Sequence, residues 1–180
     1  MNKPGETAHI LPDILEPGLS VVFCGSAAGA VSAAKGAYYA GPGNGFWRIL
    51  AETRLTPREL TPEEFRTLPR YGIGLTDMAK TVSGSDASLP RAADDPAGLT
   101  EKIGRYAPAA LAFVGKRAAQ VWFRDQSGKT ALDYGRQGET IGAAAIFVLP
   151  STSGAARRYW DTAPWYELAG FLAERRTDGS

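Results

Sequence analysis

Residues 19–25 read "LSVVFCG", an almost unbroken apolar run that ends in a glycine. Three later runs have the same character: "GIGLTD" at 72–77, "ALAFVG" at 110–115 and "AAIFVLP" at 144–150. Strands are apolar in this continuous way when helices cover both of their faces, whereas a strand with one wet face alternates. The four runs therefore predict a parallel sheet that is buried between two layers of helices.

Segments of helical character lie between these runs and after them. They are "NGFWRILAET" at 44–53, "TPEEFRTL" at 61–68, "PAGLTEKIGRY" at 96–106, "KRAAQVWF" at 116–123 and "APWYELAGFLAERR" at 163–176. Strands that alternate with helices are typical of the α/β class. The expected fold is a three-layer α/β/α arrangement with a central four-stranded parallel sheet.

The composition is that of one globular domain, with 180 residues, 44% of them hydrophobic and 22% charged. We expect this domain over 11–175, with a flexible arm at 1–10 and a flexible tail at 176–180. The segment 83–98 is rich in Gly, Ser, Asp and Pro and predicts a mobile loop. A formal net charge of +1 gives no overall basic field, although a local basic patch would still suffice for nucleic acid.

One cysteine and one histidine are too few for a disulfide framework or a common zinc site, so we expect no metal and no cofactor. Cys24 lies inside an apolar run and is expected to be a buried hydrophobic residue. We find no signal-peptide pattern and no apolar stretch of the roughly 20 residues that span a bilayer, so we expect a soluble protein.

Ligands bind parallel sheets beyond the carboxyl ends of the strands, and four groups of residues fall there. "GSAAG" at 25–29 follows the first strand, Asp77 ends the second, Lys116 follows the third, and "PSTSG" at 150–154 ends the fourth. We therefore expect one edge of the sheet to carry a tight backbone turn, a carboxylate, a lysine and several hydroxyl groups.

Each of these sequence features has two interpretations. "GSAAG" indicates either tight strand-to-helix packing or close approach to a ligand, and it lacks the G-x-G-x-x-G pattern of dinucleotide sites. Core packing explains Tyr38 and Tyr39 poorly in a glycine-rich loop, where a ring could instead stack on a nucleobase. Asp77 either activates water or caps the segment that follows it. Arg157 and Arg158 either contact phosphate or lie on a solvated helix face.

Five stretches together resemble the mismatch-specific uracil-DNA glycosylases, bacterial relatives of thymine-DNA glycosylase in the uracil-DNA glycosylase superfamily. They are "DILEPGLSVVFCG" at 13–25, "PGNGFWRIL" at 42–50, "YGIGLTD" at 71–77, "FVGKRA" at 113–118 and "VLPSTSGAARR" at 148–158. The resemblance runs from about residue 13 to about residue 172. It implies a four-stranded parallel sheet between helices and an enzyme that flips an altered base out of DNA and hydrolyses its N-glycosidic bond.

The resemblance also implies site residues. In the base-binding pocket, the Tyr39 ring lies against the base, and the backbone at Ser26 and Tyr39 bonds the pyrimidine edge. The loop 153–157 enters the minor groove, with Ala155 at the position where a larger wedge can stand. The expected pocket residues are Gly25, Ser26, Ala27, Tyr39, Asn44 and Ser151. The expected DNA-binding residues are Ser153, Gly154, Ala155, Ala156, Arg157, Arg158 and Lys116.

The opening motif departs from the family. It usually reads Gly-x-Asn-Pro-Gly, and its asparagine holds the attacking water, but here Ala27 and Ala28 replace Asn and Pro. Alanine cannot position water, so we expect Asp77 to act instead, as a base or as an electrostatic stabiliser of the sugar. Ser151 is a second departure, at a position where some relatives have asparagine.

The resulting prediction is a monofunctional glycosylase that removes uracil or another altered base from mispaired double-stranded DNA. It would act without a cofactor, as a monomer, in the bacterial cytoplasm at the nucleoid. Two alternatives stay open: a lesion- or mismatch-binding protein with negligible glycosylase activity, and an α/β nucleotide- or nucleoside-binding protein.

Overall fold

A computed structural model describes residues 8–179, and the strands in this range form one five-stranded sheet with the order β2-β1-β3-β5-β4. β1, β2, β3 and β5 run parallel, while β4 pairs antiparallel with β5 at the edge. The strands are β1 (Val21–Gly25), β2 (Ile73–Asp77), β3 (Ala110–Val114), β4 (Gly135–Ile141) and β5 (Ala144–Leu149).

The four parallel strands are those predicted from the apolar runs, and every residue in them is buried. The sheet has five strands rather than four because β4 was not predicted. β4 reads "GRQGETI", and its middle residues alternate between exposed and half-buried. An antiparallel edge strand can face water, so it needs no apolar run, and its sequence resembles that of a loop.

Helices cover both faces of the sheet, which confirms the three-layer arrangement. One apolar cluster includes Phe23, Phe46 and Trp165, and the cluster on the other face includes Phe113 and Trp122. The α-helices are α1 (Ala30–Lys35), α2 (Phe46–Glu52), α3 (Pro96–Tyr106), α4 (Lys116–Ser127) and α5 (Ala163–Asp178). A 3-10 helix spans Pro62–Tyr71 and begins in a capping box, and shorter 3-10 segments span Asp86–Ser88, Arg91–Ala93 and Gly154–Tyr159.

Several predictions concern segments outside the regular elements. Residues 1–7 and 180, in the predicted flexible arm and tail, lie outside the described residues. The predicted mobile loop at 83–98 contains two of the 3-10 segments, and the Asp94 carboxylate in it pairs with the Arg117 guanidinium at 3.0 Å. Within residues 8–179, none of the helices combines the length and apolar character needed to cross a membrane.

The register of the central strands determines what lies at the carboxyl edge of the sheet. Gly25, the last residue of β1, pairs with Asp77, the last residue of β2. On the other side, the Gly115 N–H after β3 donates to the Leu149 carbonyl at the end of β5 (2.8 Å). The predicted glycine turn and the predicted carboxylate are therefore neighbours across one strand pair.

Candidate functional site

A cavity of about 250 Å³ opens at this carboxyl edge of the sheet. Its walls come from the turn after β1, the end of β2, the loop before α2 and the segment after β5. All the residues expected in a base-binding pocket line it, together with the predicted catalytic carboxylate. They are Gly25, Ser26, Ala27, Tyr39, Asn44, Asp77 and Ser151.

The "GSAAG" turn is fixed by backbone hydrogen bonds to the segment after β2. The carbonyls of Gly25 and Ser26 accept from the N–H groups of Met78 and Ala79, each at 2.8 Å. α1 begins directly after the turn, with Gly29 at its N-cap. The turn therefore packs tightly between β1 and α1 and also forms a wall of the cavity. The two interpretations of this stretch, tight packing and close approach to a ligand, are thus compatible.

Gly25 leaves room for the Asp77 side chain. A Cβ at position 25 would lie 2.8 Å from Asp77 Oδ1 and 3.3 Å from the Tyr39 hydroxyl. No helix begins between residues 78 and 85, so Asp77 does not cap one and the capping interpretation of this residue is wrong. Its carboxylate instead faces the cavity.

Burial makes Asp77 an unusual carboxyl group. The residue is 6% exposed. Burial raises the pKa of Asp77 from 3.8 to about 6; the Lys80 ammonium opposes this shift and the Asp13 carboxylate adds to it. The group is thus a stronger base than an ordinary carboxylate and is still mostly ionised at neutral pH.

Lys80 is the cation nearest to that carboxylate, and it is itself buried. Its Nζ lies 3.9 Å from Asp77 Oδ2 and 3.0 Å from Asp13 Oδ1. It also donates to the Tyr38 hydroxyl at 3.0 Å. Lys80 therefore lies between two carboxylates, one of which faces the cavity.

Asp13 completes a partly buried charge network behind the cavity. It pairs with the Lys102 ammonium at 2.7 Å and accepts from Thr76 Oγ1 at 2.7 Å. Burial alone would raise the pKa of Asp13, but Lys80, Lys102 and Thr76 together hold it below its usual value. The sequence gives no sign of this network, because Asp13 and Lys80 are far apart in the chain and resemble surface residues there.

The two adjacent tyrosines have different environments. Tyr38 is a core residue, 2% exposed, and its hydroxyl donates to the Pro12 carbonyl at 3.0 Å, so the expectation that core packing explains it poorly is wrong. Tyr39 has a left-handed backbone (φ 53°), and, like Tyr38, it is one of the residues that line the cavity. The Tyr39 ring stacks on Phe46 with centroids 3.9 Å apart.

The Tyr39 hydroxyl is buried and has no hydrogen-bond partner among the described residues. Burial raises the pKa of Tyr39 well above its ordinary value, and the nearby Asp77 carboxylate raises it further. A buried hydroxyl without a partner costs about 1–3 kcal/mol. The phenol stays neutral and remains a potential donor close to Asp77.

Asn44 and Ser151 make local hydrogen bonds beside the cavity. Asn44 Oδ1 accepts from the Phe46 N–H at the start of α2 (3.0 Å), and Ser151 Oγ accepts from the Ser153 N–H (3.3 Å). The Gly45 N–H donates to the Thr152 carbonyl at 2.9 Å, which joins the loop before α2 to the segment after β5. These bonds hold the cavity mouth in one shape.

The expected DNA-binding segment forms the 3-10 helix Gly154–Tyr159, which contains Ala155, Ala156, Arg157 and Arg158. Ser153 lies just before it and lines the cavity. The helix packs on the neighbouring loop, since a Cβ on Gly43 would lie 2.6 Å from Arg157 Nη2. Lys116 does not line the cavity; its Nζ lies 4.5 Å from the centroid of the Tyr134 ring.

Two further observations concern other residue types. Cys24 is fully buried, as expected, and burial raises the pKa of its thiol well above the ordinary value. Residues 8–179 contain no group of three or more His, Cys, Asp or Glu side chains arranged to hold a metal ion.

Comparisons with known proteins identify the family. Residues 12–170 match the model of the uracil DNA glycosylase superfamily. The structure is also similar to a solution NMR structure from Methanosarcina acetivorans that is described as "a putative Uracil DNA glycosylase". The two share 25% identity with a TM-score of 0.62, over 93% of this chain and 97% of that chain. The chain belongs to the uracil DNA glycosylase superfamily.

Proposed function

We propose that this protein is a monofunctional DNA glycosylase that flips uracil or another altered base out of mispaired DNA and hydrolyses its N-glycosidic bond. The observation that carries the proposal is the buried Asp77 carboxylate in the wall of the small cavity. Membership of the superfamily supports a DNA glycosylase role in general. Asp77 and the cavity support the specific chemistry.

The cavity suits a single flat base. Its volume of about 250 Å³ is below the roughly 300–1,000 Å³ of typical small-molecule pockets. Tyr39 lines the cavity, and the ring of this residue would stack on the base and so offset the few kcal/mol that flipping costs. The backbone at Ser26 and Tyr39 would bond the edge of the pyrimidine.

Asp77 supplies the chemistry in this proposal. The oxygen of a water molecule bonds to the anomeric carbon of the sugar, the bond from that carbon to the base nitrogen breaks, and the base leaves with the bond electrons and is protonated. The ionised Asp77 either accepts a proton from the water or stabilises the positive charge on the sugar. Ala27 offers no side chain for either task.

The segment after the cavity would hold the DNA. The 3-10 helix Gly154–Tyr159 would enter the minor groove and fill the space that the base leaves, with Arg157 and Arg158 near phosphates. Ala155 is small, so this filling would depend on backbone more than on a wedge side chain. Lys116 would contact the DNA backbone from the start of α4, and the protein would act as a monomer on double-stranded DNA.

A second candidate function is a lesion- or mismatch-binding protein that holds a flipped base and cleaves it negligibly. The observation that favours it is Ala27, which replaces the asparagine that holds water in the resembling family. The cavity would serve this function equally well. The two candidates differ only in whether Asp77 can do the work of the missing side chain.

Incubation with defined duplexes tests both. The substrates carry uracil opposite G, uracil opposite A, ethenocytosine or hypoxanthine, and alkali then breaks the strand at any abasic site. We expect breakage at the uracil opposite G. Binding without breakage on every substrate would reject the glycosylase and support the binding protein. Binding that hardly depends on salt would contradict both, because phosphate contacts release counterions.

A further inference from the structure

A second cavity, of about 420 Å³, lies beside the first. Ser151, Thr152 and Ser153 line both, so a three-residue segment separates them. The other walls come from the loop before α2, from α2 itself and from the 3-10 helix that follows the segment. A polymeric ligand with one of its units in the first cavity could therefore place its next unit in the second cavity.

The second cavity has an exposed aromatic wall. Trp160 is 38% exposed, whereas the other three tryptophans, Trp47, Trp122 and Trp165, are at most 4% exposed. The Trp160 ring lies 6.3 Å from the buried Trp165 ring, which supports it from the core side. A supported indole that stays open to solvent is a suitable surface on which a base can stack.

The charges around this indole favour an anion. The Arg48 and Arg157 side chains both line the cavity, and Glu52 is the one acidic residue among its described lining residues. The Arg157 guanidinium is held close to the loop, since a Cβ on Gly43 would lie 2.6 Å from its Nη2. Two guanidinium groups beside an aromatic ring match a phosphate and a base, the two parts of a nucleotide.

We propose that the second cavity binds the nucleotide next to the flipped one, with its base stacked on Trp160 and its phosphate held by Arg48 and Arg157. This inference rests on the proposed function, and it extends the substrate class to single-stranded DNA. A neighbouring base can reach Trp160 only after it leaves its own stack, which costs least in an unpaired strand. Single strands should therefore be bound and processed as well as duplexes.

Intrinsic fluorescence reports on this site directly, because Trp160 is the exposed tryptophan. Titration with a short single-stranded oligonucleotide containing uracil should quench the emission as a base stacks on the indole. Trp160→Phe should lose the quenching and keep most of the affinity measured by anisotropy of a labelled strand. Trp160→Ala should bind roughly 5- to 150-fold more weakly, the range that base stacking supplies.

The strand itself provides a matched test. Replacing the nucleotides on both sides of the uracil with abasic spacers should weaken binding to the wild-type protein by a similar factor. The same replacement should not weaken binding to Trp160→Ala any further. An equal loss in both proteins would overturn the inference, as would unchanged affinity of Trp160→Ala with no quenching in the wild type.

Charge variants test the phosphate contact. Arg48→Ala should weaken binding more than Arg70→Ala, which removes the same charge at the opposite end of β2. Glu52→Gln should tighten binding, because its carboxylate opposes the phosphate; equal effects of the two arginine variants would contradict the contact. Cleavage without quenching would reject this inference alone, whereas quenching without cleavage would support the second cavity and contradict the glycosylase.

Discussion

The Asp77 carboxylate occupies the space that a side chain at Gly25 would need. The two residues are register partners at the carboxyl ends of β2 and β1, and a Cβ at position 25 would lie 2.8 Å from Asp77 Oδ1. Real Cβ atoms essentially never approach a heavy atom so closely. Gly25, at the end of the first apolar run, therefore leaves free the space that the Asp77 carboxylate, at the end of the second run, occupies.

Gly25→Ala should displace this carboxylate and lower the single-turnover cleavage rate at least tenfold, because misplacement of a reacting group by about 1 Å can cost 100-fold. Gly29→Ala is the matched control in the same turn: its Cβ would meet nothing within 4 Å. We expect that variant to keep the wild-type rate. Equal rates for the two alanine variants would show that Asp77 does not need this space.

The pH dependence of cleavage should follow the ionisation of Asp77. Burial raises its pKa to about 6, and the charged form is the one that activates water or stabilises the sugar. The single-turnover rate should therefore rise about tenfold per pH unit below pH 6 and level off above pH 7. The measurement is a series of uracil·G duplex cleavage rates from pH 4.5 to 8.5. A flat profile from pH 5 to 7 would exclude Asp77 as the group that titrates.

Lys80 should determine the pH at which the cleavage rate levels off, which is the bend in that profile. Its ammonium lies 3.9 Å from Asp77 Oδ2 and lowers the pKa of Asp77, so Lys80→Met should move the bend to higher pH. Lys102→Met is the control: Lys102 contacts Asp13 and has a smaller effect on the pKa of Asp77. Both variants should be checked for folding by circular dichroism. A bend that moves equally in the two variants would contradict a specific role for Lys80.

The ionised Asp77 carboxylate should lower the free energy of unfolding at neutral pH. Its pKa is about 6 in the folded state and near 3.8 when unfolded, so the folded state binds more protons between these values. Stability therefore falls as pH rises from about 4 to about 6. The Asp77→Asn variant has no carboxyl group to ionise at this position. Its free energy of unfolding at pH 7 should therefore exceed that of the wild-type protein by on the order of 1–3 kcal/mol.

Urea unfolding of both proteins at pH 4 and pH 7 measures this difference. The advantage of Asp77→Asn should be present at pH 7 and largely absent at pH 4, where the wild-type carboxyl group is protonated. A variant that is less stable than the wild type at pH 7 would contradict the account of a carboxylate that burial destabilises.

The sequence predicted the parts of the fold that depend on continuous burial. Each of β1, β2, β3 and β5 is an apolar run and begins and ends within two residues of the predicted limits. β4 was missed because an edge strand can be polar. α1 was missed as well, since "AVSAAK" is too short and too rich in small residues to show a helical period.

The sequence also predicted that the turn after β1, the end of β2 and the segment after β5 meet beside the sheet, because strand ends at one edge of a parallel sheet lie close together, and all three line the first cavity. It could not predict the charges behind that cavity. Lys80 and Asp13 look solvated in the sequence, and only the folded chain brings them together. Nor could it separate Tyr38 from Tyr39: both line the cavity, but the Tyr38 hydroxyl donates to the Pro12 carbonyl, whereas the Tyr39 hydroxyl has no partner among the described residues.

The most direct test of the central claim is the single-turnover cleavage of a uracil·G duplex by the wild-type protein and by Asp77→Asn at pH 7.5. We expect the variant to bind the duplex and to cleave it on the order of 100- to 10,000-fold more slowly, the usual contribution of a positioned acid–base group. A variant that cleaves at the wild-type rate would contradict the assignment of Asp77 as the group that replaces the missing asparagine.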